Sequence, residues 1–203
     1  MKKLYENIED IDIRGGVSQL TEVVTAMDIA LQNIADSTDR LYSQLIKYSV
    51  SNKGTQYEKV VDTSYALREV LFDASEALND MQRQIVEYQN KIYRYEEMAD
   101  SAQAPNPFLV NKNLNVNVDS TVVQFNRSDM INVAALLRNY RQSVYHHTRT
   151  IYDKKNSIAS IWRDSQYNAF AEFVDEVVKR ITTAIKVFDD YVLYLEEKIK
   201  ELG

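Results

Sequence analysis

Trp162-Arg-Asp-Ser-Gln-Tyr167-Asn-Ala-Phe170-Ala-Glu-Phe-Val174-Asp-Glu-Val177-Val-Lys-Arg-Ile181 holds a turn and the opening of a long periodic segment. From Tyr167 onward apolar residues recur in steps of three and four: Phe170, Val174, Val177, Ile181, Ala184, Phe188, Tyr191, Leu195, with Lys198 and Leu202 in the same phase. That spacing puts them on one face of an α-helix, the face a bundle buries. Nothing in the stretch alternates with the period of two that a half-buried strand requires.

Three more segments repeat the pattern. One runs Val17, Leu20, Val24, Met27, Leu31, Ile34, Thr38, Leu41, Leu45, Tyr48. A second runs Val60, Ser64, Leu67, Leu71, Ala74, Leu78, Met81, Ile85, Tyr88, Ile92, Tyr95. The third runs Met130, Val133, Leu137, Tyr140, Val144, His147, Ile151, Lys154, Ile158, Ile161. The sustained seven-residue period predicts left-handed, coiled-coil-like packing at small crossing angles. Helices of roughly 30–40 residues span about 45–60 Å, so the molecule should be elongated. Only four Gly and two Pro occur in 203 residues, which fits long uninterrupted helices.

Short connections divide the four. Ser49-Val-Ser-Asn-Lys-Gly54 separates the first pair, with Gly54 suited to positive φ. Ser160-Ile-Trp-Arg-Asp-Ser165 separates the second pair, where Asp164 or Ser165 can cap the last helix. Connections this short force antiparallel neighbours. The expected fold is therefore all-α: two tandem antiparallel helical hairpins, over 1–98 and 128–203, packed as an elongated four-helix bundle. Between them 99–127 holds both prolines, Pro105 and Pro107, and an Asn-rich run. Leu114-Asn-Val-Asn-Val118 alternates as a short strand would, as does Ile11-Asp-Ile13 before the first helix. Ser128-Asp129 resembles an N-cap pair for the third helix.

The halves also align at one ungapped shift of 110 residues. Asn52-Lys-Gly-Thr-Gln-Tyr57 falls on Trp162-Arg-Asp-Ser-Gln-Tyr167, matching Gln56 to Gln166 and Tyr57 to Tyr167. Val60 falls on Phe170, Leu71 on Ile181, Leu20 on Met130 and Leu41 on Ile151. One shift that brings both helices and the turn into register predicts a duplicated hairpin.

The second hairpin resembles the WXG-type (Esx-like) small proteins of type VII secretion systems. It carries Trp162 in a turn between two long amphipathic segments, followed by Phe170. In that family a Trp-x-Gly turn joins two helices, hairpins pair as antiparallel four-helix dimers, and members are secreted effectors or carriers of larger toxins. Here Asp164 stands at the Gly position; in the first half Asn52 stands at the Trp position and Gly54 is kept. Trp162 reads either as a seal on the bundle end, its indole N–H answering a free helix-end carbonyl, or as a docking contact in the family's manner. The family also uses a Tyr-x-x-x-Asp/Glu export signal. Tyr93 and Glu97 supply one just before the linker, and Tyr5 with Glu9 and Tyr65 with Glu69 match as well. With 14 Tyr and 30 acidic residues, about two such pairs arise by chance.

Composition narrows the function further. The net charge is −6 with no basic stripe, so a nucleic-acid partner is not expected. Cysteine is absent, which excludes thiolate chemistry and Cys-bound zinc. His146 and His147 are the two histidines, and position 143 is Ser and 144 Val, so no Glu three residues ahead completes a bundle metal site. Lys154 and Lys198, in core phase, should extend their heads to water. No apolar run is long enough to cross a membrane, and Met1-Lys-Lys-Leu-Tyr-Glu-Asn-Ile-Glu-Asp10 lacks the apolar core of a signal peptide. The reading is a non-enzymatic protein–protein interaction module without cofactor or metal. By the resemblance it is a secretion substrate or an adaptor for a larger secreted effector, monomeric by intrachain pairing, cytoplasmic before export without a cleaved leader. The alternative is a helical scaffold or spacer with no secretion role.

Overall fold

The computed structural model describes residues 10–14 and 16–201. Four helices carry it: α1 (Ser18–Tyr48), α2 (Thr55–Tyr95), α3 (Arg127–Ile158) and α4 (Ser165–Glu201). None contains Gly or Pro. α1 packs on α2 and α3, and α4 packs on the same two, leaving α1/α4 and α2/α3 as diagonals of a four-helix bundle. Every neighbouring pair is antiparallel. Along the α1–α3 seam, Glu22 meets Lys154 at 2.8 Å, Ser37 meets Ser143 at 2.7 Å and Thr38 meets Tyr140 at 3.1 Å, so the numbers run in opposite directions. Asp73 with Arg180 and Gln56 with Tyr191 show the same for α2 and α4.

The diagonal pair α2 and α3 then points the same way, so the chain between them must travel back along the whole bundle. It does so against α2. Asn90 binds Ala102, Asn79 Nδ2 donates to the Phe108 carbonyl at 2.9 Å, Arg68 donates to the Leu114 carbonyl at 2.6 Å, and Val116 N–H donates to the Tyr65 hydroxyl at 2.7 Å. Within Leu114–Val118 the alternation is real: Val116 is buried, while Asn115 and Asn117 face solvent. The expected strand is not formed, because the segment's neighbour is a helix, whose own backbone groups are already paired, and its hydrogen bonds go to α2 side chains. Among the described residues the only β pairings are the single bridges Ile13–Trp162 and Lys53–Gln124.

The expected stripes of α1 and α2 are buried almost throughout, Tyr95 being the exposed exception. On α3 and α4 the phase slips by one residue. Thr148 and Lys155 are buried where His147 and Lys154 were expected. On α4, Ile185, Val192 and Ile199 are buried in place of Ala184, Tyr191 and Lys198. From Phe170 to Ile199 the buried residues average about 3.6 per step, the period of a straight helix rather than of a strict heptad supercoil. Leu202 lies outside the described residues. Lys155 reaches Asp175 from its buried position, while Lys198 pairs with Glu201 near the bundle end. The α3 cap also differs. Asn126 accepts from Asp129 N–H at 3.1 Å, so Ser128 and Asp129 lie within the first turn rather than capping it. An Asn side chain reaches the third helical N–H from that position as readily as a Ser.

Candidate functional site

The residues singled out by sequence gather at the two hairpin turns, at opposite ends of the bundle. At the second turn Trp162 folds inward directly after α3, its N–H donating to the Ile158 carbonyl at 2.9 Å. The indole is completely buried. It stacks on Phe170 of α4 at 5.5 Å and on Tyr88 of α2 at 5.9 Å, and meets Tyr167 edge-on. Its partner is not a helix-end carbonyl, as expected, but the Asp164 carboxylate, 2.6 Å from Nε1. A carboxylate two residues on wins because it can reach the ring and the next helix together.

Asp164 is the hub of this end. Oδ1 also accepts from the N–H groups of Gln166 and Tyr167, at 3.0 and 3.2 Å, which caps α4. Oδ2 accepts from the Tyr88 hydroxyl at 2.5 Å and from the N–H of Asp12 at 3.5 Å. Burial, and then the bond to Asp164, push the Tyr88 hydroxyl well above its ordinary range, so it stays the donor. The segment ahead of α1 closes the arrangement. Arg14 N–H donates to the Ile161 carbonyl, Arg163 N–H to that of Asp12, and the Asp10 carboxylate takes the Ser165 N–H. Tyr88, Asp10 and Asp12 were not among the residues expected here. Tyr88 sits in the α2 stripe, but nothing in its neighbourhood of sequence signals a partner 76 residues away.

At the first turn Gly54 has φ +94° and stands at the N-cap of α2 rather than at a C-cap. Its N–H donates to the Asp119 carbonyl at 2.9 Å, and a Cβ there would lie 3.0 Å from the Val122 carbonyl oxygen. Asn52, at the position aligned with Trp162, is buried and links rather than fills: Oδ1 accepts from Asn126 N–H at 2.9 Å and Nδ2 donates to the Tyr48 carbonyl. Gln56 is exposed and Gln166 buried. Tyr57 and Tyr167 make the same bond in each hairpin. Tyr57 donates to the Leu45 carbonyl at 2.5 Å and Tyr167 to that of Lys155 at 3.2 Å, both twelve residues back.

The Tyr-x-x-x-Glu pairs fare differently. Tyr65 is consumed by the core, stacked on Tyr42 at 5.5 Å, and Glu69 pairs with Lys112. Tyr5 and Glu9 lie outside the described residues. Tyr93 is half-buried in the last turn of α2, and Glu97 is exposed one residue beyond the C-cap at φ +53°. Met98 N–H donates to the Tyr93 carbonyl and Glu97 N–H to that of Arg94. That is the Schellman arrangement, with glutamate in the left-handed position glycine usually takes.

His146 and His147 meet edge-on at 5.1 Å, and burial followed by its neighbour's charge holds His147 below its ordinary range. Among the described residues no three His, Cys, Asp or Glu side chains are grouped to hold a metal, and no helix is long and apolar enough to cross a membrane.

No protein-family model matches the chain, and no curated protein is similar to it in sequence. Among solved structures, it is similar to an archaeal Dps homologue from Halobacterium salinarum, at 15% identity and a TM-score of 0.37, over 95% of this chain and 93% of that one. A likeness at that level carries no argument about function.

Proposed function

We propose that the chain is a non-enzymatic protein–protein interaction module, a tandem WXG-like protein that is itself a secretion substrate or serves as adaptor for a larger secreted effector in a type VII-like system. The observation carrying this reading is the cross-hairpin docking of the second turn: Trp162 and Asp164 close on Tyr88 of the first hairpin. A turn tryptophan at the meeting of two antiparallel hairpins is what the WXG resemblance leads one to expect, here with both hairpins in one chain. Joining them removes the association cost that separate hairpins bear, so the protein is a monomer.

Duplication is supported by position. Tyr48 and Ile158 end their helices 110 residues apart, Thr55 and Ser165 begin theirs at the same interval, and the Tyr57 and Tyr167 bonds repeat at it. Tyr93, half-buried with its hydroxyl accepting from Gln89 Nε2 at 3.0 Å, and Glu97, exposed just past α2, are the pair we assign as an export signal. The chain is cytoplasmic before export.

Expression in a bacterium with an active type VII ATPase, beside a strain in which that ATPase is inactive, tests the proposal. The intact chain should reach the medium only in the active strain, and Tyr93→Ala with Glu97→Ala should reduce its appearance. Equal retention by both strains would sink the secretion reading and leave a scaffold bundle.

A further inference from the structure

The return segment lies along α2 in the manner of a bound peptide. From 99 to 118 its backbone makes no hydrogen bond to another backbone group among the described residues, and only Val110 and Val116 are buried. Side chains of α2 read it instead. Asn90 holds both backbone groups of Ala102, Nδ2 donating to the carbonyl at 2.9 Å and Oδ1 accepting the N–H at 2.7 Å. Asn79 donates to the Phe108 carbonyl, Ser75 accepts the Val110 N–H, Arg68 donates to the Leu114 carbonyl and Tyr65 accepts the Val116 N–H. Tyr65 and Asn90 stand about 37 Å apart along the helix.

From 108 to 118 every second residue turns towards the bundle. Phe108, Val110, Leu114, Val116 and Val118 pack on the core, while Leu109, Asn113, Asn115 and Asn117 are exposed. Lys112 takes the remaining inward position, its Nζ 2.9 Å from Glu69 and 3.7 Å from the centre of the Phe72 ring. A period of two belongs to an extended chain. Bonds to its backbone hold such a chain whatever its sequence, and the places for alternate side chains supply the selectivity.

The segment does not use all that α2 offers. Asn79 Oδ1 and Arg68 Nε are buried beneath it with no partner among the described residues, although Asn90 shows that this face can take both backbone groups of one residue. A buried donor or acceptor left unmatched costs stability, so a segment that answers these two atoms would hold the groove better than the chain's own. The chain's own competes through its tether, at an effective concentration on the order of millimolar.

We infer that the face of α2 from Tyr65 to Asn90 is a groove for an extended segment of a partner protein, apolar at alternate positions with one lysine opposite Glu69, and that residues 99–118 occupy it as a tethered stand-in. The inference rests on the reading of the chain as a protein-binding module and names the chemistry of the partner's segment.

The test uses the full chain and a labelled synthetic peptide of the sequence Ser101–Val118, followed by fluorescence anisotropy. A chain whose own segment is loosened by Val110→Asp/Val116→Asp should bind the peptide about tenfold or more tighter than the unaltered chain. In the loosened chain Asn90→Ala should weaken binding, and Glu69→Lys should weaken it until the peptide carries Lys112→Glu. A peptide methylated at the nitrogens of Ala102 and Val116 should not bind. Circular dichroism checks that each variant keeps its helices. A second measurement needs no variant: excess unlabelled peptide should quicken hydrogen exchange at the unaltered chain's own Val116 amide. The inference is overturned if that amide is unaffected, if loosening brings no gain, if the methylated peptide binds equally well, or if sedimentation shows copies of the unaltered chain exchanging their segments. Export without peptide binding overturns the groove alone. Peptide binding without export removes the secretion reading and leaves the groove standing.

Discussion

Asp164 takes five hydrogen bonds, from Trp162, Gln166, Tyr167, Tyr88 and Asp12, and so joins a turn, two helices and the segment ahead of a third. Placing at this position the glycine that a WXG turn carries is therefore unfavourable here. Asp164→Gly removes the α4 cap and leaves a buried indole N–H and a buried phenol without acceptors, a loss of about 3–5 kcal/mol that urea unfolding would measure. Trp162→Ala empties the space between Tyr88 and Phe170 and should cost about 3–5 kcal/mol, read as a fall in Tm. A melting temperature unchanged by that substitution would mean that the indole is not a seal. Of this end of the bundle, Trp162, Phe170 and the capping role of Asp164 were legible in sequence. The contribution of Tyr88 was not, since periodicity assigns a residue to a face without saying which distant carboxylate lies across from it.

Among the elements, α2 shows where pattern reading stops. Its apolar stripe was readable, but Arg68, Ser75, Asn79, Gln82 and Gln89 are also buried. Polar residues beside an apolar stripe read as the solvated side of a helix, and these are covered because the return segment or α1 lies over them. Ser75 Oγ takes the Val110 N–H, and the Arg68 guanidinium sits 4.4 Å from the Tyr42 ring and 4.5 Å from the Tyr65 ring beneath the Leu114 carbonyl. The slip on α3 and α4 has a different cause. A heptad template advances 3.5 residues per step, whereas these helices follow what their neighbours cover. The return segment yields a direct prediction. Tyr65→Phe deprives the Val116 N–H of its acceptor at small cost in volume, so stability should drop by about 1–3 kcal/mol. Hydrogen exchange at the Val116 amide should quicken while the amides of α4 stay protected. Equal acceleration everywhere would mean that this segment and the bundle open together.

At the scale of the whole molecule, burial acts on several of the 14 tyrosines at once. Tyr42, Tyr57, Tyr88, Tyr140 and Tyr191 are all pushed well above the ordinary phenol value, in each case first by burial. In the unfolded chain the same groups ionise near pH 10. A raised folded value means that the native state holds its protons longer, so the stabilisation is full below about pH 10 and declines as pH rises beyond it. Titration followed by phenolate absorbance should show these five ionising only with cooperative unfolding. A single smooth titration of all of them, with helicity retained, would contradict the buried assignments.

The chain has one tryptophan, and its indole rests on Tyr88 of the first hairpin and Phe170 of the second. Parting the hairpins would move that ring from an apolar setting into water while leaving much of each helix intact. The protein thus contains an optical gauge of its own opening. A shift of emission to longer wavelength without an equal loss of helical ellipticity, on mixing with a protein under test as a partner, would separate a bundle that unclasps from one that stays closed.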